Sequence, residues 1–531
     1  MSCWIQAVKL MKVAFRVDSS SLIGSGHLMR CLTLANELRG RGADVLFLSR
    51  EHPGHLIERI EKASFSLCRF PAPQAPTISN PNDYAAWLGV TQEQDAAQTL
   101  RALDNQRYDW MIVDHYGLDV TWEKAVRPLV EKILVIDDLA NRYHDCDVLL
   151  DQNYFGDKTF SRYQHLLSEP CKCLLGPDHA LIQPEYPQLR AILPPRNGQV
   201  RRVLVFFGAS DSTEQTGKVL KVLSHSDFSH LAVDVVIGAN YPNHGEIKKL
   251  VAQRQGTALY QNLPTLAGLS ARADLVIGAG GATTWERMCI GLPSLVISIA
   301  ENQDAPTVSL TEDGYQKSLS EGINASLAEW HQAILHLIKE PDTVLGLTQK
   351  ASNLVDGLGA KRVACILFGK LISTIKIRRI TPADELLLLR WANDPEARMQ
   401  SFNQQLISAE EHARWFAKKL SDPDSLILIG EDEHGLPLGL VRFDINREKA
   451  EALISISIDQ SLRGLGLSTK LLKSALQYWH SIALNIKLIA EVRDSNSRSQ
   501  RLFIQLQFKS ARSRRVGALA FELEPLAIEQ K

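Results

Sequence analysis

The stretch KVAFRVDSSSLIGSGHLMR, residues 12–30, decides how the rest of the chain is read. Its first six residues, built on the short apolar run Val13-Ala14-Phe15, read as a buried strand. Asp18 and three serines end the run, and a glycine turn, Gly24-Ser-Gly26, opens a helix over His27–Arg39. Strand, glycine turn and helix make the first unit of a doubly wound α/β sheet. The first amides of such a helix have no internal partner and can face an anion. His27 stands inside this phosphate-suited turn. A histidine has a purpose there if something beside the phosphate must lose a proton.

The pattern then repeats. ADVLFLS (43–49), YDWMIVDHY (108–116), KILVIDDL (132–139) and CDVLLDQN (146–153) read as further buried parallel strands. The Pro-rich ILPPRNGQ (192–199) interrupts them as a linker. Apolar runs resume with RRVLVFFGAS, AVDVVIG, ADLVIGAGG and PSLVISIA. From Lys376 the character changes to a strand, a helix, an antiparallel meander, a helix over Ser468–Trp479 and a strand, IKLIAEV. The expected fold is α/β. Two tandem Rossmann-like domains, 11–192 and 200–365, precede a separate α+β domain, 376–525, with residues 1–10 as an extension before Met11.

Bulk properties exclude several classes. The 531 residues suit about three domains at roughly 150 residues each. With 45% hydrophobic and 22% charged residues and a net charge of -1, no overall field draws in nucleic acid or a membrane surface. There is no membrane-length apolar run and no signal-peptide pattern, so the expected setting is cytoplasmic, with small-molecule substrates. The eight cysteines are scattered; Cys171 and Cys173 are close, but no zinc-ligand spacing surrounds them. No His/Asp/Glu spacing suggests a metal, and metal independence is expected.

A second glycine turn, Gly278-Ala-Gly280-Gly281, follows a strand at the start of a helix that carries Glu286. Neither turn fits a Walker loop or a dinucleotide fingerprint, which demotes ATP hydrolysis and NAD binding. Two such turns across one cleft suit a diphosphate held from both sides. The segment GGATTWERMCIGLPSLVISIAENQ (280–303) resembles the nucleotide-sugar signature of MurG-like GT-B proteins. That resemblance implies that Gly280, Gly281, Thr283 and Thr284 hold UDP, that Glu286 holds the ribose, and that Asn302 and Gln303 reach the sugar.

A sharper resemblance covers nearly all of residues 11–365. Residues 16–50, VDHYGLD (113–119), VIDDLANRYHDCDVLLDQN (135–153), GPDHALI (176–182) and VFFGASD (205–211) are similar to the UDP-2,4-diacetamido-2,4,6-trideoxy-β-L-altropyranose hydrolases of pseudaminic acid biosynthesis. Ala209 departs from that pattern, where a second glycine is expected. The family implies inverting, metal-independent hydrolysis with His27 as the base that activates water. Asp18 is a candidate partner that orients His27 or the sugar, Gly24 and Gly26 flank the diphosphate, and His115 is a candidate sugar contact.

In the last domain, SISIDQSLRGLGLSTKLLKSAL (455–476) resembles the acetyl-CoA loop of GNAT acetyltransferases. It implies that Arg463, Gly464, Gly466 and Ser468 hold acetyl-CoA as cosubstrate, with Asn496 toward the same ligand. Phe503 stands where such enzymes often carry a proton-donating tyrosine, and Gln507 where they carry glycine. Glu451 and Glu491 are candidate bases. Together the resemblances imply two consecutive steps in one chain, N-acetylation of a UDP-4-amino sugar and then removal of UDP. The alternatives are a glycosyltransferase, an acetyltransferase for another amine, and a domain that binds CoA without turnover.

Overall fold

The computed structural model describes residues 10–73, 83–208, 211, 213–238, 241–369, 372, 374–482 and 486–525. Residues 1–9 and Ala209 lie outside the described residues. The chain divides into two units after Val363.

The first unit holds two parallel sheets. In the first are β1 (Lys12–Val17), β2 (Asp44–Arg50), β3 (Ser66–Phe70), β4 (Tyr108–Asp114), β5 (Val130–Ile136), β6 (Val148–Asp151) and β7 (Lys172–Leu175). They lie in the order β3-β2-β1-β4-β5-β6-β7. The second sheet contains β8 (Arg202–Phe206), β9 (Ala232–Ile237), β10 (Thr257–Gln261), β11 (Leu275–Ala279), β12 (Ser294–Ile297) and β13 (Lys317–Ser318). Its order is β10-β9-β8-β11-β12-β13. Every pairing in both sheets is parallel. The central runs of β1, β4, β5, β8 and β11 are buried on both faces, as parallel strands under two helical layers must be. In each sheet the strand order reverses beside the first strand, at β1/β4 and at β8/β11, which is where doubly wound sheets open a ligand crevice.

The sequence reading overlooked β3, β7, β10 and β13. The first three are edge or near-edge strands with exposed polar positions, and β13 has two residues. None offers more than three apolar residues in a row. The expected linker is also more than a tether. The Arg196 guanidinium donates to the carbonyls of Ala273, Ser270 and Ile290, and just before it Arg190 Nη1 donates to Cys289 and Ser352, both at 2.8 Å.

The helix Gly359–Phe368 returns the chain to the first sheet's domain. Arg362 Nη1 donates to Asp178 O at 2.9 Å, and its guanidinium also pairs with Asp356. Gly359 makes the approach possible, because a Cβ there would stand 2.3 Å from Ala180 O and 2.6 Å from Ala180 N.

The second unit contains β14 (Lys376–Arg379), β15 (Ser425–Glu431), β16 (Pro437–Asn446), β17 (Glu451–Ile458), β18 (Lys487–Arg493), β19 (Lys509–Ala511) and β20 (Ala518–Leu523). They form one mixed sheet in the order β14-β15-β16-β17-β18-β20-β19. The expected meander is β15-β16-β17, and the helix expected from Ser468 spans Leu467–Ser481. β17 and β18 pair with each other in parallel only from Glu451↔Lys487 to Leu453↔Ile489; beyond that each keeps its pairing with its other neighbour, to Ile458 and Arg493, while the two separate.

Backbone atoms cannot yield at Gly359 as a flexible side chain would. Gly359→Ala is expected to destabilise the chain by about 1–3 kcal/mol through overpacking, read as a lower denaturation midpoint. An unchanged midpoint would show that this helix is free to shift.

Candidate active sites

The β1/β4 crevice assembles the first site. The helix Gly26–Gly40 starts beside the end of β1, with no side-chain cap and no acidic residue in its first turn. Its opening amides and its dipole are therefore left for an anion. β4 ends at Asp114, whose Oδ1 lies 2.6 Å from His27 Nδ1. A carboxylate accepts only, so this pairing puts a proton on Nδ1, and in the neutral imidazole Nε2 then keeps a lone pair.

Arg30, one helical turn after His27, closes on the same carboxylate through Nε to Oδ2 and Nη2 to Oδ1, both at 2.7 Å. Burial alone would raise the Asp114 carboxyl, yet Arg30 and then His27 hold it well below the usual carboxylate range. Arg30 also reaches Asp138 with two bonds, of 3.0 and 2.8 Å. Asp138 accepts from Tyr116 at 2.5 Å and from Asn153 at 2.6 Å. Aromatic rings wall the imidazole. Tyr116 lies edge-on at 4.6 Å, and Trp87, stacked on Tyr116, lies at 6.5 Å.

Asp18 was expected to orient His27 or the sugar; on His27 the geometry puts Asp114 in that position instead. Asp18 is fully buried. Its oxygens accept from Arg16 at 2.6 and 2.9 Å and from the Arg50 amide at 2.7 Å. Burial would raise its carboxyl, but Arg16, with His115 and His52, holds it well below the usual range. His115, expected as a sugar contact, turns inward: it is 3% exposed, its Nε2 lies 3.3 Å from Asp18, and burial lowers its pKa. Both residues belong to a buried charge network with Arg16, Arg50 and Asp95.

The second glycine turn meets the first. A Cβ on Gly26 would stand 3.7 Å from Ala282 Cβ. Gly280 packs against Thr307 and Gly281 against Gln303, whose Oε1 accepts from Ile299 N at 3.2 Å. Asn302 Nδ2 lies 3.5 Å from the Tyr116 hydroxyl, which joins the two halves across the crevice. The Thr283 and Thr284 hydroxyls both accept from Arg287, at 3.1 and 3.0 Å. Glu286 lines a small cavity with Tyr186, Ser270 and Thr283. Burial pushes its carboxyl up to about 7, partly offset by a hydrogen bond from Tyr186. Asp114, Arg30, Asp138, Tyr116 and Trp87 were not singled out in the sequence; Asp114 and Tyr116 flank the His115 that was.

In the second unit, the turn Arg463–Gly466 joins β17 to the helix Leu467–Ser481. Gly464 (φ +86°) and Gly466 (φ +73°) both lie in the left-handed region, with open space where a Cβ would be. The helix has no side-chain cap, and the unpaired stretch between β17 and β18 lies beside it. Backbone amides with room before them suit a pyrophosphate. The Arg463 side chain, expected on the ligand, is instead paired with Asp394 and with Glu396 at 2.9 Å, and Glu396 also takes Arg498 at 2.8 Å. Ser468 falls in the helix's first turn, and Asn496 caps the helix Ser497–Gln505 by accepting from Ser499 N at 3.1 Å. Glu451 and Glu491 are ion-paired with Arg514 and Arg515. Phe503 is 3% exposed and packs on Phe508 and Phe521, so a core ring occupies this position. Gln507 adopts φ +66°, the conformation for which glycine is suited.

Comparisons agree with this division. Residues 374–509 match the acetyltransferase (GNAT) domain family. An uncharacterized protein of Methanocaldococcus jannaschii is 24% identical over 530 residues, spanning 97% of this chain and 100% of that protein. The UDP-2,4-diacetamido-2,4,6-trideoxy-β-L-altropyranose hydrolase of Campylobacter jejuni is 24% identical over 307 residues, 58% of this chain and 98% of its own length. Among solved structures, MurG of Acinetobacter baumannii is 15% identical and covers 67% of this chain and 99% of its own, with a TM-score of 0.45. The class is therefore an enzyme with a part like a sugar-nucleotide hydrolase and a GNAT domain. Its amino-terminal part is similar to the Campylobacter hydrolase.

Two outcomes follow from these geometries. Between the ordinary 4.5 and about 7, folded Glu286 holds a proton that the unfolded chain has released, so its contribution to stability falls as pH rises through that window. Glu286→Gln is expected to flatten the decline in melting temperature from about pH 5 to about pH 8; an unchanged slope would contradict the buried carboxyl. Gln507→Gly is expected to stabilise the chain by about 1 kcal/mol by relieving the left-handed backbone, measured by chemical denaturation.

Proposed function

We propose that this chain hydrolyses a UDP-linked 2,4-diacetamido-2,4,6-trideoxy sugar and N-acetylates the 4-amino precursor of that sugar with acetyl-CoA. The observation that carries the hydrolase reading is the His27–Asp114 pair, set at the sheet's switch point against the second glycine turn. Water attacks the anomeric carbon, His27 Nε2 takes its proton, and the bond to the diphosphate oxygen breaks with its electron pair leaving on UDP. Asp114 stabilises the imidazolium that forms, and Arg30 keeps Asp114 ionised. The helix amides after Gly26 and around Gly281–Thr284 receive the leaving charge without a metal ion. Glu286 receives the ribose hydroxyls, and Asn302 and Gln303 face the sugar. No described helix is long and apolar enough to cross a membrane. We place the chain in the cytoplasm, with the two small-molecule substrates as its partners.

The acetyl-transfer reading is supported by the GNAT match, the open glycine turn and the unpaired β17/β18 stretch. Gly464, Gly466 and Ser468 cradle the pyrophosphate, with Arg463 released to it from Glu396. The buried Phe503 supports a second reading, in which this domain binds acetyl-CoA without turnover.

Mass spectrometry of the chain incubated with UDP-4-amino-4,6-dideoxy-N-acetyl-β-L-altrosamine and acetyl-CoA separates these cases. Free diacetamido sugar plus UDP is the expected result. An untouched amine, with pre-acetylated substrate still cleaved, favours the second reading, and UDP release only with an added sugar acceptor contradicts hydrolysis. His27→Asn is expected to lower turnover by about a hundred- to ten-thousand-fold while UDP still binds. A variant with near-normal turnover would remove His27 from the mechanism.

A further inference from the structure

Away from both crevices, two histidines and a carboxylate converge on the second sheet's domain. His225 and Asp227 belong to the turn after the helix Gln215–Leu223, and His331 lies on the helix Leu327–Lys339. His331 Nε2 is 3.1 Å from Asp227 Oδ2, and His225 Nδ1 is 3.3 Å from the same oxygen. One ligand atom from each residue lies within 4.8 Å of the other two. The two imidazoles meet edge to face at 4.9 Å, and Phe228 backs His331 at 5.0 Å.

Hydrogen bonding alone leaves this group in conflict. His225 Nδ1 accepts the Asp227 amide proton at 3.3 Å, so that nitrogen presents a lone pair. The same nitrogen faces a carboxylate oxygen, which also only accepts. If Nδ1 is protonated to serve the carboxylate, the amide loses its acceptor. A cation held between Nδ1 and the carboxylate brings both acceptors onto one centre, in place of the long 3.3 Å amide bond.

The spacing fits such an ion. Ligands about 2.0–2.1 Å from zinc in a tetrahedron stand about 3.3 Å apart, close to the two separations seen here. Two imidazole nitrogens and one carboxylate suit zinc, nickel or copper, whereas magnesium and calcium prefer all-oxygen shells. We propose that His225, Asp227 and His331 form a surface site for one divalent transition-metal ion of the zinc class, completed by water. The turn lies between a helix C-terminus and the start of β9, at the amino ends of the strands. The glycine turns lie at the carboxyl ends. The ion thus clamps the helices Gln215–Leu223 and Leu327–Lys339 and takes no part in sugar chemistry.

The test uses the full chain, stripped of metal by a chelator and dialysed, then titrated with zinc alone by calorimetry and with cobalt(II) by absorption. One saturable site per chain is expected, with a rise in melting temperature on adding zinc. His225→Ala and His331→Ala should each abolish both effects. His225 is largely exposed, so its variant keeps the fold. Cobalt should give visible bands without the near-ultraviolet charge-transfer absorption of thiolate ligands. Absence of saturable binding, binding unchanged in both variants, or a thiolate-type spectrum would each overturn the site.

Discussion

The hydrolase-like half depends on one short contact, the 2.6 Å bond from His27 Nδ1 to Asp114. It joins the first turn of a helix to the end of a strand from the other side of the switch point, and it exists because β1 and β4 are neighbours. Asp114 can serve His27 only as a carboxylate. A carboxylate so fully buried is costly unless paired. Arg30 supplies that pairing from one helical turn away, and Asp138, itself held by donors from Tyr116 and Asn153, accepts the rest of the guanidinium's bonds. The histidine, only 8% exposed itself, is thus the crevice end of a chain of charges whose other members hold its tautomer and orientation.

The network also connects the two halves of the cleft. Tyr116 donates to Asp138 on one side and lies at the edge of hydrogen-bond range of Asn302 on the other. Gly26 and Ala282 bring the two glycine turns into contact. Two uncapped helix ends thus meet at one place, and Glu286 lies in a pocket where burial pushes its carboxyl up to about 7. Ligand hydroxyls that donate to Glu286 favour its ionised form, so binding and protonation are linked at that position.

Much of this was legible in the sequence, and the limits have physical causes. Continuous apolar runs disclosed the buried central strands, whereas edge strands such as β3 and β10 are five residues long with polar residues at their ends or within, and leave only a short run. The glycine turns and His27 were visible because loop, helix start and histidine are adjacent in the chain. Asp114 was not, because its partnership with His27 spans 87 positions and is made by strand order. The same distance in sequence hid His331 from Asp227, 104 positions away. Asp18 misled in the opposite direction: close to His27 in sequence, it is drawn inward by Arg16. At Gln507 the departure from glycine could be read, but the φ of +66° that gives it a cost came only from the fold.

The bond that breaks is the heart of the mechanism. Turnover in heavy-oxygen water, with both products weighed by mass spectrometry, shows which atom water attacks. If His27 activates water toward the anomeric carbon, the label appears in the released sugar's new hydroxyl and is absent from UDP. Label in the terminal phosphate of UDP would place the attack on phosphorus and contradict a base aimed at the sugar.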